Sequence, residues 1–247
     1  MSRFAILISS PGAGADALTG PAIDIANVRS FLASPIGGGW VVPDEVRSLT
    51  HPTVAQVTDL IAEANERDYC FLAYSGHGAR VGNNTQMSLS VGQSLTVEEL
   101  AAEIDTRATV VIDTCRVPPH PPHPGLQLPE WEQLLAEGVA HINAYRAFFE
   151  GECLKAPEAI TTIYACRDGE TARDTPNGAV FLNCLINEAM LWAEGQHYMK
   201  PRGLTTAEAM FLAARAMGMM GIDQHPSIRP MWDYRPKPPL AVWLPQQ

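Results

Sequence analysis

Two apolar runs in this chain end in residues able to make and break covalent bonds. The first, Phe71-Leu-Ala-Tyr-Ser75, stops in Gly76-His77-Gly78; the second, Val110-Val-Ile-Asp113, stops in Thr114-Cys115. A thiol brought beside an imidazole is a nucleophile with its general base. The histidine favours the thiolate and later returns a proton to the leaving group. Alternate side chains of an extended chain point the same way, so Ser75 shares a side with His77, and Asp113 with Cys115. If the two runs are neighbouring strands, all four side chains meet at one edge. Asp113 does not help the thiol, because a nearby carboxylate raises a thiol's pKa. It needs a different task.

Other candidate groups carry less chemistry. The five cysteines (Cys70, Cys115, Cys153, Cys166, Cys184) are odd in number and lack CxxC spacing, so neither a disulfide framework nor a zinc site is indicated. Cys70, Cys166 and Cys184 read as small core hydrophobes. His120 and His123 are flanked by prolines, with no acid or thiol nearby, and read as an exposed loop.

The elements that must position these groups alternate between strand and helix. "RFAILIS" reads as a first strand: its apolar core is too short for a signal peptide, and Ser9-Ser10-Pro11-Gly12 breaks it. "ALTGPAIDIANVRSFLAS" follows at helical spacing, then the short strand "DEVRSLT". "HPTVAQVTDLIAEANE" puts Val54, Val57, Leu60 and Ile61 on one helical face. "DYCFLAYS" is a buried strand and "MSLSVGQSLTV" a hairpin, after which Thr96 and Glu99 form a capping box. "ATVVIDTC" is too continuously apolar to have a wet face, as strands of a parallel sheet require. The proline-rich "VPPHPPHPGLQL" cannot be regular structure, and "PEWEQLLAEGVAHINAYRAFFE" reads as helix. Strand "AITTIYAC", helices "AVFLNCLINEAMLWAEG" and "TAEAMFLAARAMG", and strand "PLAVWL" complete the chain. The pattern predicts a doubly wound α/β fold with a mostly parallel sheet of about six strands. We read residues 1–247 as one domain: a larger part (1–116), a connector (117–157) and a smaller part (158–247).

Composition narrows the function. The chain has 247 residues, 46% hydrophobic and 18% charged, as expected of a globular protein that buries a sizeable core. A formal net charge of −10 argues against nucleic-acid or anionic-membrane partners. No apolar run approaches the roughly 18 residues that span a bilayer, and a reducing cytoplasm is the default location. The glycines after the first strand fit neither GxGxxG nor GxxxxGK[ST] spacing, which weakens a nucleotide-binding reading.

Strand–Ser-Gly-His-Gly followed by strand–Asp-Thr-Cys resembles the caspase/metacaspase superfamily of cysteine peptidases, in particular its prokaryotic members. "LTGPAIDIANVRSFL" (18–32) is similar to the metacaspase stretch with a Gly, an Asn-Asp pair and a helix. "IYACRDGETARDTPNGAVFLNCLINEA" resembles the small-subunit strand and helix, so the likeness runs from residue 4 to about 245. There are departures. The histidine lies 115 − 77 = 38 residues upstream of the cysteine, against about 50 in the caspase signature. Arg116-Val117-Pro118 stands where metacaspases carry His-Ser-Gly, and Ile23 replaces the Asn of the Asn-Asp pair.

The resemblance implies a caspase-like fold and an endopeptidase with Cys115 as nucleophile and His77 as general acid/base. The amides of Gly78 and Cys115 would form the oxyanion hole, and Asp24, Asp113 and Ser75 would line the pocket for the P1 side chain. A bland alternative has Asp24 capping a helix and Asp113 bonding a loop amide. On the first reading cleavage follows Arg, less well Lys, and not Asp. Expected partners are protein or peptide substrates with a basic P1 residue and an upstream activator, in a regulatory or stress- and defence-type role, with no cofactor. Family members differ on calcium, and no carboxylate cluster can be matched to a calcium site; they differ also on dimerisation. Arg146, Lys155 and Arg116 are candidate self-cleavage points. The competing reading is a caspase-like regulatory or binding module without turnover.

Overall fold

The structure, a computed structural model, describes residues 1–117, 141–195, 200–230 and 235–245. The proline-rich connector with His120 and His123, and the start of the helix expected from residue 129, lie outside the described residues.

In chain order, β1 (Arg3–Ser10) leads to α1 (Gly20–Ala33), β2 (Val46–Thr50), α2 (Val54–Asn65) and β3 (Tyr69–Gly76). The strands β4 (Gly78–Val81), β5 (Asn84–Ser88) and β6 (Ser94–Thr96) follow, then α3 (Val97–Glu103) and β7 (Arg107–Asp113). Then come α4 (Ile142–Lys155), β8 (Ile160–Tyr164), α5 (Val180–Glu194), β9 (Arg202–Thr205), α6 (Thr206–Met219), β10 (Ser227–Arg229) and β11 (Pro239–Trp243). Helices α2, α3 and α6 begin with a threonine and a Gln or Glu three residues inside the helix, forming capping boxes at Thr53, Thr96 and Thr205. Each box satisfies amides that the first turn leaves without partners.

The main sheet has six strands in the order β10-β8-β7-β3-β1-β2. All neighbours are parallel except the β10–β8 pair. Every residue of β1, β3 and β7 is buried, the mark of strands covered on both faces. Tyr69, Phe71 and Ala73 pack with residues of α1, α4, α5 and α6 on one face. Cys70, Leu72 and Tyr74 pack with α2 and α3 on the other. The chain leaves β1 to one side for β2 and lands on the other side at β3, so the strand order reverses between β1 and β3. Such switch points open a crevice at the carboxyl ends of the strands.

Three sequence expectations change. β11 does not join the main sheet; it pairs with β9 in a separate two-stranded sheet. The sixth main strand is instead β10, only three residues long and bounded by Pro226 and Pro230, which hides it from periodicity. The hairpin β5–β6 is present but extends to a third strand, β4. The described part of the helix expected from residue 129 is α4, whose Phe149 and Cys153 are buried.

Candidate active site

His77 and Cys115 sit at the carboxyl ends of adjacent strands. β3 and β7 pair in register, with Ser75 opposite Asp113 as the last rung. His77 and Cys115 each follow two residues on. The two strands enter the core with the same alternation, so Ser75 and Asp113 face the α1/α5 side.

The histidine is held from its far side. Its Nε2 lies 2.7 Å from the carbonyl oxygen of Asp16, in a single 3-10 turn (Gly14–Asp16) between β1 and α1. A carbonyl only accepts, so Nε2 carries the proton and, on a neutral ring, Nδ1 keeps its lone pair. The His77 carbonyl is fixed as well, accepting from Tyr74 Oη at 2.6 Å and from the Ser88 amide at 2.9 Å. The glycines flanking His77 allow close backbone packing. A Cβ at Gly76 would lie 2.3 Å from the Ser10 carbonyl oxygen, and one at Gly78 2.3 Å from Thr114 Oγ1. Gly78 pairs with Met87 in β5, and the Ser88 amide donates to the His77 carbonyl. In an antiparallel ladder that arrangement turns the Gly78 N–H away from β5.

Cys115 is partly buried, and its Sγ donates to the Ala172 carbonyl at 3.5 Å, in the loop between β8 and α5. Burial pushes the thiol pKa up, and the charges of Asp113 and Asp174 push it further.

Beside the thiol lies a group of acids. Asp24, on α1, is 1% exposed. It accepts from Ser75 Oγ at 2.6 Å and from the Ala179 amide at 2.8 Å. Burial raises its pKa to about 7, with Asp174 adding to the rise and the two hydrogen bonds opposing it. Asp113 is 4% exposed. Burial raises its pKa well above the ordinary carboxylate range, Asp24 and Asp174 raise it further, and the Leu182 amide opposes them. Its Oδ2 is buried with no hydrogen-bond partner. Asp174 takes a 3.3 Å hydrogen bond from the Gly20 amide at the start of α1, and its Oδ1 is also buried and unpartnered. Burial raises its pKa too, while its amide contacts and His77 pull it down. Asp174 therefore acts on both His77 and Cys115.

The structure thus brings Asp24, Ser75 and Asp113 together, and adds Asp174, which the sequence reading missed. The bland alternative is realised in part: Asp24 holds the N-cap amide of α5 and Asp113 the amide of Leu182 in its first turn. Helix α5 offers amides and its positive dipole end to both acids, yet both pKa values remain raised. Among the described residues no group of His, Cys, Asp and Glu is arranged to hold a metal ion.

Arg116, the departure beside Cys115, is 1% exposed. Its guanidinium stacks on Tyr164 at 3.9 Å, donates to Thr85 Oγ1 and the Cys166 carbonyl at 3.0 Å each, and pairs with Asp168. Its backbone exchanges hydrogen bonds with Glu170 and Gly169 at 2.9 Å. The residue after Cys115 is a buried anchor, so cleavage after Arg116, expected as one option from sequence, would require its loop to unfold.

A parallel-rich α/β sheet whose central strands end in His77 and Cys115, with a group of buried acids beside them, defines a caspase-type cysteine-peptidase architecture. The family model for the caspase domain matches residues 2–217, and the chain belongs to that family. Among solved structures, caspase-1 from Spodoptera frugiperda superposes with a TM-score of 0.59 at 14% identity, covering 93% of this chain and 86% of that one. Protein GSU0716 from Geobacter sulfurreducens gives 0.61 at 17% identity, covering 100% and 95%. At such identities these likenesses show the fold alone. No curated protein sequence matches the chain closely enough to count as a relative. Among the described residues no helix is long and apolar enough to cross a membrane.

Proposed function

We propose that this caspase-domain protein is an endopeptidase that cleaves after basic residues, Arg before Lys, through a Cys115–His77 dyad. The observation that carries the specificity is the convergence of Asp24, Ser75, Asp113 and Asp174 beside the nucleophile, with two buried carboxylate oxygens lacking any donor. A guanidinium supplies several N–H donors and the missing positive charge in charge-assisted, bidentate geometry. An aspartate side chain in the same place would add a fourth carboxylate, at a cost of several kcal/mol.

In the mechanism this supports, the P1 side chain enters the acid pocket and presents its carbonyl carbon to Cys115. The thiol proton passes to Nδ1 of His77, whose Nε2–H stays on the Asp16 carbonyl. The carbonyl oxygen, now negative, is received by the amides of Gly78 and Cys115; losing one such donor typically costs 10²–10³ in kcat. The imidazolium protonates the leaving amine, and water then hydrolyses the thioester with His77 as base.

Fluorogenic peptides differing only at P1 test the reading. Arg should exceed Lys, Asp should be inert, and Asp113→Ala should lose Arg cleavage while Cys115 still reacts with iodoacetamide. Preferential cleavage after Asp, or intact Arg cleavage in that variant, would sink it. One observation favours the silent-module reading: the raised pKa of Cys115 in the free protein. No hydrolysis of any P1 peptide, with all five thiols alkylated equally slowly, would establish it.

A further inference from the structure

We propose that a guanidinium bound between Asp24, Asp113 and Asp174 does more than anchor a substrate: it activates the neighbouring Cys115 thiol toward its nucleophilic form. The inference rests on reading the acid group as a cation pocket, and adds that the pocket and the nucleophile form one electrostatic unit.

The geometry builds the coupling into two segments. Asp113 ends β7 two residues before Cys115, and its charge bears on the sulfur. Asp174 is two residues after Ala172, whose carbonyl receives the Cys115 Sγ at 3.5 Å. Both acids are seated beside the sulfur, and each opposes its ionisation whenever it is itself ionised. The other groups around the thiol do not cancel this. From β3's end comes His77, tied to Asp16; from α1, Asp24, tied to Ser75 and Ala179; from α5, the Ala179 and Leu182 amides, taken by Asp24 and Asp113. From the β8–α5 loop comes Cys166, whose Sγ donates to the Thr114 carbonyl. Arg116 turns its guanidinium away, to Tyr164 and Asp168. A bound cation would offset the negative charge that Asp174, and Asp113 when ionised, set beside the sulfur. The protein would then hold its thiol quiet until the correct side chain arrives.

The consequence separates this idea from plain anchoring. Anchoring makes Arg at P1 bind better, whereas activation by the pocket cation also makes the thiol react faster with something that never touches the pocket. The probes are propylguanidine, which carries the cation without a peptide, and its neutral counterpart propylurea. Each is added at increasing concentration while iodoacetamide alkylates the protein near neutral pH. The Cys115 sulfur forms a bond to carbon, iodide leaves, and the thiol proton goes to the buffer. Modified Cys115 is counted by mass spectrometry, and calorimetry reports binding of the guanidine.

Saturating propylguanidine should accelerate Cys115 alkylation about tenfold, the effect of lowering a thiol's pKa by one, and propylurea should not. Asp174→Asn should alkylate faster than wild type with no ligand and gain less from the guanidine, although it cleaves Arg peptides worse. Asp174 is half-buried, so this variant reports even if Asp113→Asn fails to fold. Binding without acceleration, slowed alkylation, or equal acceleration in wild type and Asp174→Asn overturns the activation and leaves the pocket standing. Failure of the guanidine to bind overturns both.

Discussion

Replacing Asp24 with asparagine should make the folded protein more stable at pH 8 and leave it unchanged at acid pH. Folded Asp24 titrates at about 7 against 3.8 for an ordinary aspartate, chiefly because burial penalises its charge. Its folded pKa lies above its unfolded one, so the contribution is fully present below pH 3.8, where both states are protonated. That contribution is lost as pH rises toward 7, because the unfolded chain ionises first and folding must take up a proton. A gap of about three pH units, at 1.36 kcal/mol each, makes the full loss about 4 kcal/mol. Asparagine keeps an oxygen for the Ala179 amide and offers its own NH₂ to Ser75 Oγ, at almost the same volume. Some geometry is lost in the swap, so the gain at pH 8 should be about 2–4 kcal/mol, or roughly 5–15 °C in Tm for a domain of this size. Thermal unfolding followed by circular dichroism at pH 4 and pH 8 reads it directly. An Asp24→Asn protein that melts at or below wild type at pH 8 would refute the reasoning, since the charge would then be stabilised where it sits. The same variant should lose cleavage after Arg, an instance of stability surrendered to a functional site.

Cys115→Ala should abolish peptide hydrolysis and His77→Ala nearly so, with the double variant scarcely worse than either, because the pair acts as a unit; additive losses in steady-state rates would show that they are mispaired. Gly12→Ala should lower kcat with little change in KM, because its Cβ would lie 2.6 Å from His77 Cδ2 at a backbone φ of +82°; an unchanged kcat would mean that the imidazole is free to move. Arg116→Ala should destabilise the fold by about 2–5 kcal/mol in urea unfolding, because it empties a fully buried site against Tyr164 and strands the Cys166 carbonyl and Thr85 hydroxyl. Mass spectrometry of wild type and Cys115→Ala should show no self-cleavage after Arg116, whose side chain is enclosed.

The parts of the site legible in the sequence are those carried on strands. "FLAYSGHG" and "VVIDTC" are continuous apolar runs, and a period of two fixes which side chains share a face. Ser75 and Asp113 could therefore be paired before any register was known, and the structure makes them opposite partners. Asp24 was reachable only through resemblance to the metacaspase segment, for nothing in the spacing of α1 marks it as aimed at β3. Asp174 was illegible for a stronger reason. It lies in an irregular loop with no period, and its place beside Cys115 depends on how residues 165–179 return from β8 to α5. The Asp16 carbonyl that orients His77 left no trace at all, since a backbone oxygen has no residue type. β10 was missed because three residues between prolines cannot display alternation.

Arg116 shows how such a loop can be made dependable without secondary structure. The loop after β8 must bring Ala172 to the Cys115 sulfur and Asp174 to the pocket, yet it has no ladder of its own. Arg116 fastens it at its base: its amide and carbonyl bond Glu170 and Gly169, and its side chain reaches the Cys166 carbonyl and Asp168. Arg80 and Arg229 converge on the same Asp168 from β4 and β10. One residue thus ties the strand that delivers the nucleophile to the loop that delivers the third carboxylate. A buried guanidinium is an expensive way to fill space, since well-packed hydrophobic residues of similar volume often serve stability as well or better. Its position after the nucleophile makes sense if what it secures is the distance between sulfur and acid. On the proposed reading, that distance governs both which side chain is accepted beside Cys115 and how readily the thiol ionises.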